Sequence, residues 1–170
     1  MKKIFTILLL AVAATTVTSC YYTKEEAGGT SIEKMCGFWD VLYYAVDEQG
    51  IDVFGFPIAD GVIYTYNTSD NTFDEMWIDD QETFWAYKFK VSVNYPERSF
   101  GTENSWVPYD AEETGNALIF DGKIEENGAL SEHDLPIDKI SFSVKFDDDE
   151  DAEDYGYDHF LVVGSRHTGY

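Results

Sequence analysis

The sequence predicts an all-β protein whose strands form an antiparallel barrel of about eight strands. Two segments alternate apolar and polar side chains with a period of two, which is the pattern of a half-buried strand. Turn signals separate seven or eight strand candidates, and no segment has a helical stripe capped at both ends. Short strands joined by tight turns are typical of barrels and of sandwiches, so a β-sandwich is the alternative.

The clearest strands are expected at 85–93 and 139–146. In the first, the apolar positions alternate with lysines and a serine; they are Trp85, Tyr87, Phe89, Val91 and Val93. In the second, the apolar face consists of Ile140, Phe142, Val144 and Phe146. Further strands are expected at 38–46, 51–56, 62–67, 75–79, 117–121 and 158–164, and one helical turn at 31–37. Turns are expected at 48–50, 59–61, 67–70, 121–122 and 126–128.

The first twenty residues have the layout of a bacterial lipoprotein signal peptide. Met1-Lys2-Lys3 is basic, and the apolar run of eleven residues at 4–14 is shorter than the roughly 20 residues of a membrane-spanning helix. Val17-Thr18-Ser19-Cys20 then resembles the lipobox, which implies that Cys20 is lipidated and becomes the mature N-terminus. A plain signal peptide with a chance cysteine is the alternative.

These boundaries divide the chain into three parts. Residues 1–19 are the predicted signal peptide, residues 20–36 are the lipidated N-terminus and a flexible tether, and residues 37–170 are a single barrel domain. Within the tether, Lys24-Glu25-Glu26 resembles the export signal of Bacteroidetes surface lipoproteins. We therefore expect an outer-membrane lipoprotein at the cell surface, with the periplasmic face as the alternative.

The charge of the chain excludes some classes of partner. Removal of Lys2 and Lys3 with the signal peptide leaves 9 basic and 33 acidic residues, a net charge of −24. Nucleic acids and anionic lipid headgroups repel such a chain, so the only membrane contact expected is the lipid anchor. An aromatic content of 16% excludes wholesale disorder. A protein partner is not identified by the sequence.

The sequence contains only weak catalytic candidates, and we lean toward a protein that is not an enzyme. Ser165 and His167 would share one face of a strand end, but there is no Gly-x-Ser-x-Gly motif. A polar strand end is the favoured interpretation, with Arg166 pairing with a carboxylate or closing the bottom of the barrel. Cys36, the one remaining thiol, is expected to be a small buried side chain.

No metal or cofactor is expected. The three histidines show no short ligand pair. Residues 147–154 hold seven carboxylates in eight positions, and Asp147, Asp149 and Asp151 are weak candidates for a Ca²⁺ site. The segment lacks the glycine and the spacing of an EF-hand loop, so a mobile hairpin loop between two strands is favoured.

The aromatic residues are the best candidates for a binding site. If the barrel is hollow, its cavity is expected to be lined by Trp39, Tyr43, Trp85, Tyr87, Phe89 and Phe142. A core filled by the same side chains is the alternative, because an eight-stranded barrel has room only for its side chains or for one small ligand.

Several blocks of the sequence, in their order along residues 37–170, resemble a known family. These blocks are Tyr64 to Ser69, Met76 to Asp80, Phe84 to Val91, Gly122-Lys123-Ile124 and Val163 to Tyr170. They resemble small Bacteroidetes lipoproteins described as lipid-binding putative hydrolases. The resemblance implies a lipocalin-like (calycin-like) barrel and an apolar ligand, and it supplies no catalytic residue. The acidic segment 147–154 and the ending after Thr-Gly-Tyr depart from the family pattern.

The expected function is therefore that of a lipid-anchored outer-membrane protein. It would bind a small apolar or amphipathic, lipid-like ligand and catalyse no reaction on it. Two alternatives stay open. A filled barrel would suit a structural or protein-interaction module at the surface, and Ser165 with His167 would suit an ester hydrolase.

Overall fold

The structure, a computed structural model, describes residues 29–109 and 115–169. A 3-10 turn at Glu33–Met35 precedes the first strand, and another lies at Tyr95–Glu97. The strands are β1 (Gly37–Val46), β2 (Ala59–Asn67), β3 (Glu75–Asp79), β4 (Lys88–Asn94), β5 (Ser99–Gly101), β6 (Val107–Pro108), β7 (Asn116–Leu130), β8 (Pro136–Phe146) and β9 (His159–Arg166). One short helix, α1 (Asp151–Tyr155), lies between β8 and β9. Among these residues, no helix has the length and apolar character needed to span a membrane.

The sheet closes on itself and forms an eight-stranded antiparallel barrel. Strands adjacent in sequence pair with one another except β5 and β6, and β1 also pairs with β9. Closure comes from the pairing of β5 with β7, where Phe100 lies opposite Gly122. A Cβ atom on Gly122 would lie 2.4 Å from the carbonyl oxygen of Phe100, so only glycine permits this approach. The predicted barrel is confirmed and the sandwich alternative is wrong; β6 is an additional strand on β7.

Three predicted strands differ from the observed ones. The segment 51–56 is not a strand, since only Asp52 makes a bridge to β1. The strand expected at 85–93 begins at Lys88. The strand expected at 117–121 continues to Leu130, because the two expected turns are register shifts inside β7, between Phe120 and Lys123 and between Glu125 and Ala129. Bulges and turns both use residues with positive φ, so sequence alone does not separate them.

The barrel has two ends that differ in how they are closed. We call the end where β1 begins and β9 finishes the lower end; it receives the chain from the N-terminal 3-10 turn. The opposite end, called the upper end, carries the connections 47–58, 80–87 and 147–158.

The interior of the barrel is filled by apolar side chains. On β4 and β8 the predicted alternation is confirmed: Phe89, Val91, Phe142 and Val144 are buried, whereas Lys88 and Lys90 lie on the outer face. The core extends from Ile32 and Met35 at the lower end to Phe146 and Phe160 near the upper end. Ile32 and Met35 belong to the segment 20–36, and both are fully buried.

Candidate functional site

The connection between β3 and β4, residues 80–87, folds into the upper end of the barrel, and we call it the plug loop. It is organised by Asp80, whose side chain is fully buried. The Asp80 carboxylate accepts backbone N–H bonds from Glu82 (3.0 Å), Phe84 (3.2 Å), Trp85 (2.9 Å) and Ala86 (3.1 Å). Burial raises the pKa of Asp80, while these N–H groups stabilise its ionised form and oppose the rise.

The plug loop places two aromatic side chains between the strands. Phe84 stacks on Tyr43 with 4.1 Å between ring centroids and meets Phe160 edge-on at 5.0 Å. Trp85 stacks on Phe146 at 4.6 Å with the rings nearly parallel, at 3°. Both side chains are only partly buried, although they pack against the core. The upper end is therefore closed by side chains that belong to loops and not to barrel strands, and Tyr109 and Tyr157 from two other connections pack beside the plug loop.

A pair of tyrosine hydroxyls joins β1 to the last residue of the plug loop, Tyr87. The hydroxyls of Tyr43 and Tyr87 are 3.2 Å apart, and both residues are fully buried. Burial raises the pKa of both phenols, so both keep their protons at neutral pH. The pair shares a single hydrogen bond, so one hydroxyl hydrogen can still be donated to another acceptor.

The six predicted cavity residues do not line one open cavity. Trp39, Tyr43, Tyr87, Phe89 and Phe142 point inward and are buried, and they belong to the packed core. Trp85 and Tyr87 lie on the plug loop, so their expected places on a strand are wrong. The structure brings Tyr43, Trp85 and Tyr87 together at the upper end.

The other three candidates lie lower in the barrel or away from this group. Trp39 lies at the lower end, and Phe142 packs against Phe100 with 5.7 Å between ring centroids. Phe89 packs against Tyr87 at 5.5 Å, one step below the tyrosine pair.

The lower end is closed by a continuous set of polar and aromatic contacts. The Trp39 indole donates to Thr65 Oγ1 (2.9 Å), and that hydroxyl donates to the carbonyl of Met35 (2.6 Å). The Arg166 guanidinium lies 4.6 Å from the Trp39 ring centroid. It also donates to the Cys36 carbonyl (2.9 Å) and to Asp138 (3.1 Å), as expected for an arginine that closes the barrel bottom. These contacts close the lower end beside β1 and β9.

Sequence reasoning did not identify four important residues of the upper end: Asp80, Phe84, Phe146 and Phe160. Phe146 was predicted on a strand face, and nothing in the alternation distinguishes the top of a barrel from its middle. Asp80 did have a usable signal, because an aspartate in a polar segment after a strand often accepts backbone N–H bonds in the following turn.

The weak catalytic pair lies on the outer surface of the barrel. Ser165 is paired with Asp40 on the neighbouring strand, and His167 Nδ1 lies 2.8 Å from Asp40 Oδ2. The His167 ring also stacks against Phe38, with 4.4 Å between centroids. The Ser165 hydroxyl is not among the hydrogen-bond partners of His167. This arrangement therefore lacks the nucleophile–base contact of a serine hydrolase.

The acidic segment is ordered by its own hydrogen bonds. Asp147 accepts two bonds from Asn116, both at 2.7 Å, and Tyr157 donates to Asp149 at 2.9 Å. Asp151 begins α1, a helix that the sequence did not predict. Within residues 29–109 and 115–169, no group of three His, Cys, Asp or Glu side chains is placed to hold a metal.

Of the two cysteines, only Cys36 lies within the described residues. Cys36 is partly buried against the lower end of the core, and its Sγ lies 3.5 Å from the Thr30 hydroxyl. Cys20, the predicted lipidation site, lies outside the described residues, as does Lys24-Glu25-Glu26.

Fold and site together define a small single-chain barrel of the lipocalin-like kind, whose upper end is closed by aromatic side chains of its loops, chiefly those of the plug loop. The chain belongs to the family described as lipid-binding putative hydrolase, whose model matches residues 24–170. This match confirms the resemblance in block order and reaches thirteen residues further toward the N-terminus than the blocks did. The family name indicates lipid binding. No curated protein matches the chain.

Proposed function

We propose that this chain is a lipid-anchored outer-membrane protein that binds a small apolar or amphipathic ligand at the upper end of its barrel. The observation that carries the proposal is the closure of that end by Phe84 and Trp85, which reach the core from a loop. Outward movement of the plug loop would open a space lined by Tyr43, Phe146 and Phe160. A ligand would then occupy the volume of the two displaced rings.

The energy balance sets a minimum size for the ligand. Exposing a buried side chain of this kind costs roughly 1.5–3 kcal/mol, so displacing both rings costs about 3–6 kcal/mol at most. Each methylene group that the ligand buries contributes about 0.8 kcal/mol. About four to eight methylenes are therefore needed, and a chain of about eight or more offsets the displacement over the whole of this range.

The polar groups beside the plug loop, namely the two tyrosine hydroxyls and the Asp80 carboxylate, favour a ligand with a neutral polar head group. One hydroxyl hydrogen of the Tyr43–Tyr87 pair is available to an acceptor. The nearby Asp80 carboxylate disfavours negative charge, and it contributes to raising the pKa of both tyrosines. The net charge of the mature chain acts in the same direction. An alcohol, ester or amide head group is therefore preferred over a free carboxylate.

The anchoring part of the proposal is supported by the sequence alone. The basic start, the apolar run and the lipobox-like Val17 to Cys20 occur in the order of a lipoprotein signal. Lys24-Glu25-Glu26 supports display at the cell surface. Metabolic labelling with an alkyne fatty acid tests the anchor: labelling that disappears in Cys20→Ala supports it, and equal labelling in both contradicts it.

Ligand binding is tested with a protein that starts at Tyr21. All described strands and buried residues lie at or after Ile32, so this protein keeps the described fold. Native mass spectrometry would detect a copurified ligand, and a fluorescent fatty alcohol would be titrated and then displaced by alcohols of increasing length. We expect saturable binding that strengthens beyond about eight methylenes. Absence of both a copurified ligand and saturable binding would contradict the proposal.

A matched fluorescent fatty acid tests the head-group preference separately. The same chain length with a carboxylate is expected to bind at least five-fold more weakly at neutral pH. Equal affinity for the two probes would contradict the role of Asp80 but would leave the chain-length result intact.

A further inference from the structure

A second apolar surface lies outside the barrel at its upper end. It is formed by the β1–β2 connection and by α1, and we call it the loop surface; its members are Ile51, Val53, Phe54, Phe56, Ile58 and Tyr155. Ile51 is 63% exposed, and Phe56 and Tyr155 are each 59% exposed. A group of exposed apolar side chains this large usually marks an interaction site.

The backbone holds these side chains outward. Asp52 accepts N–H bonds from Phe54 and Gly55, each at 3.0 Å, and Gly55 has a φ of 75° that favours glycine. The N–H groups of Val53 and Ile58 donate to β1 carbonyls at 2.9 and 2.8 Å. Because the segment is tied to β1 on both sides of the turn, Phe54 and Phe56 cannot simply fold into the core.

The two segments of the loop surface meet each other. The Phe54 ring lies 6.1 Å from Phe56 and 6.2 Å from Tyr155, measured between centroids. A depression of about 330 Å³ lies beside them, between the start of the β1–β2 connection and α1, and Asp47, Glu48, Glu153 and Asp158 are among its lining residues.

The two connections that form the loop surface carry negative charge, and Lys145 on the adjoining β8 pairs with Asp158. Residues 47–60 contain four carboxylates, residues 147–158 contain eight, and neither segment contains a lysine or an arginine. Apolar side chains on connections rich in carboxylates are complementary to a partner that presents apolar and cationic groups side by side.

We propose that the loop surface binds a cationic amphipathic peptide segment. Its apolar side chains would pack on Phe54, Phe56 and Tyr155, while its lysines and arginines would face the carboxylates of 47–60 and 147–158. A second copy of this chain would bring the same carboxylates, and an anionic membrane would also be repelled. This inference does not depend on ligand binding inside the barrel.

The first test uses a pair of synthetic peptides and the protein that starts at Tyr21. One peptide is an amphipathic helix of leucine and lysine, and the other has glutamate in place of every lysine. Fluorescence anisotropy should give saturable binding of the lysine peptide, weakened by salt, and at least ten-fold weaker binding of the glutamate peptide. Equal binding of the two peptides would overturn the proposal.

The second test maps the surface. Phe54→Ser with Phe56→Ser should weaken lysine-peptide binding at least ten-fold, and Glu153→Gln with Asp154→Asn should weaken it about three-fold. The matched control is Leu130→Ser with Leu135→Ser, since these side chains are 63% and 62% exposed near the lower end. The control should change affinity less than two-fold. Thermal melting checks that each variant is folded.

Three results would overturn the assignment. One is equal loss in the control pair and the Phe54/Phe56 pair. Another is dimerisation in analytical ultracentrifugation that disappears in the Phe54/Phe56 pair, which would assign the surface to self-association. The last is binding to neutral phosphatidylcholine vesicles that depends on the same two residues, which would assign it to a membrane.

Discussion

The two ends of the barrel are closed in different ways. At the lower end, the contacts come from strands and from the chain entering β1: Trp39, Thr65 and Arg166 interlock with the backbone of 35–36, and Trp39 is fully buried. At the upper end, Phe84 and Trp85 come from a single loop, are partly buried, and are positioned through one carboxylate, that of Asp80.

This difference assigns separate roles to the two ends. Strand-borne contacts cannot be lost without breaking the sheet, so the lower end contributes to global stability. A loop can open while the barrel remains intact, because local opening has a lower free energy than global unfolding. The upper end is therefore the place where a ligand can displace loop side chains from the barrel while the sheet stays folded.

The largest effect is expected at the lower end. Trp39→Ala removes a fully buried indole and should lower the free energy of unfolding by about 3–5 kcal/mol in urea denaturation. Trp106→Ala is the matched control, because that indole is 44% exposed, and its loss should be below about 1 kcal/mol. Similar losses in the two variants would contradict the structural role of the lower end.

A smaller and more local effect is expected from Asp80→Asn. Asp80 Oδ2 accepts the N–H groups of Phe84, Trp85 and Ala86, and an amide nitrogen in its place accepts none of them. We expect a loss of about 1–3 kcal/mol and faster hydrogen exchange at these amides. Asp60→Asn, an exposed change at the same end, is the control. Unchanged exchange at 84–86 would argue against the proposed organisation of the plug loop.

Trp85→Ala should separate stability from ligand binding. The indole is partly exposed and its main contact is the stack on Phe146, so the loss of stability should be only about 1–2 kcal/mol. Removal of the plug side chain should strengthen binding of the fluorescent fatty alcohol, by up to about ten-fold for each 1.4 kcal/mol of displacement avoided. Weaker binding would mean that Trp85 contacts the ligand instead of making room for it.

The smallest effect is a dependence on pH at the acidic segment of the upper end. The hydrogen bond from Lys145 lowers the pKa of Asp158, and hydrogen bonds from Asn116 lower the pKa of Asp147. For a lowered pKa, the stabilisation is present above the unfolded value, about 3.9, and is lost as pH falls through the folded value. The hydrogen-exchange protection factors of 147–158, which correct for the pH dependence of intrinsic exchange, should therefore fall below about pH 4.

Asp158→Asn provides the check on this pH effect. It should lower the protection factors of the same segment at neutral pH and reduce their further fall on acidification. An acid response identical to that of the unsubstituted protein would show that Asp158 is not its source.

The sequence predicted the closed sheet better than it predicted the ends. The alternation at 139–146 and at 88–93 reports which side chains face inward, and that is a local property of a strand. Trp85 keeps the same alternation and yet lies in a loop, because Asp80 withdraws the N–H groups of 84–86 from strand pairing. These hydrogen bonds form only in the tertiary structure, so the alternation of apolar and polar residues does not reveal them.

The same reasoning explains why the structure brings together only some of the predicted cavity residues. Aromatic residues on an inward face are equally compatible with a hollow and a filled barrel, so Trp39 and Tyr43 received the same prediction. Their positions along the barrel separate them: Tyr43 meets the plug loop, whereas Trp39 meets Arg166. The exposed Phe54 and Phe56 were predicted within a strand, and only the turn built by Asp52 shows that they point outward.

The claim that the plug loop must move before a ligand can enter the upper end is tested most directly by a disulfide that fixes the plug loop to β2. A Cβ atom on Gly61 would lie 3.3 Å from the Thr83 Cβ, close to the separation in disulfides. Gly61→Cys with Thr83→Cys, in a Cys36→Ser background, would be titrated with the fluorescent fatty alcohol before and after reduction. We predict no binding while the disulfide is intact and restored binding once it is reduced. Equal binding in the two states would contradict the claim that the plug loop must move to admit a ligand.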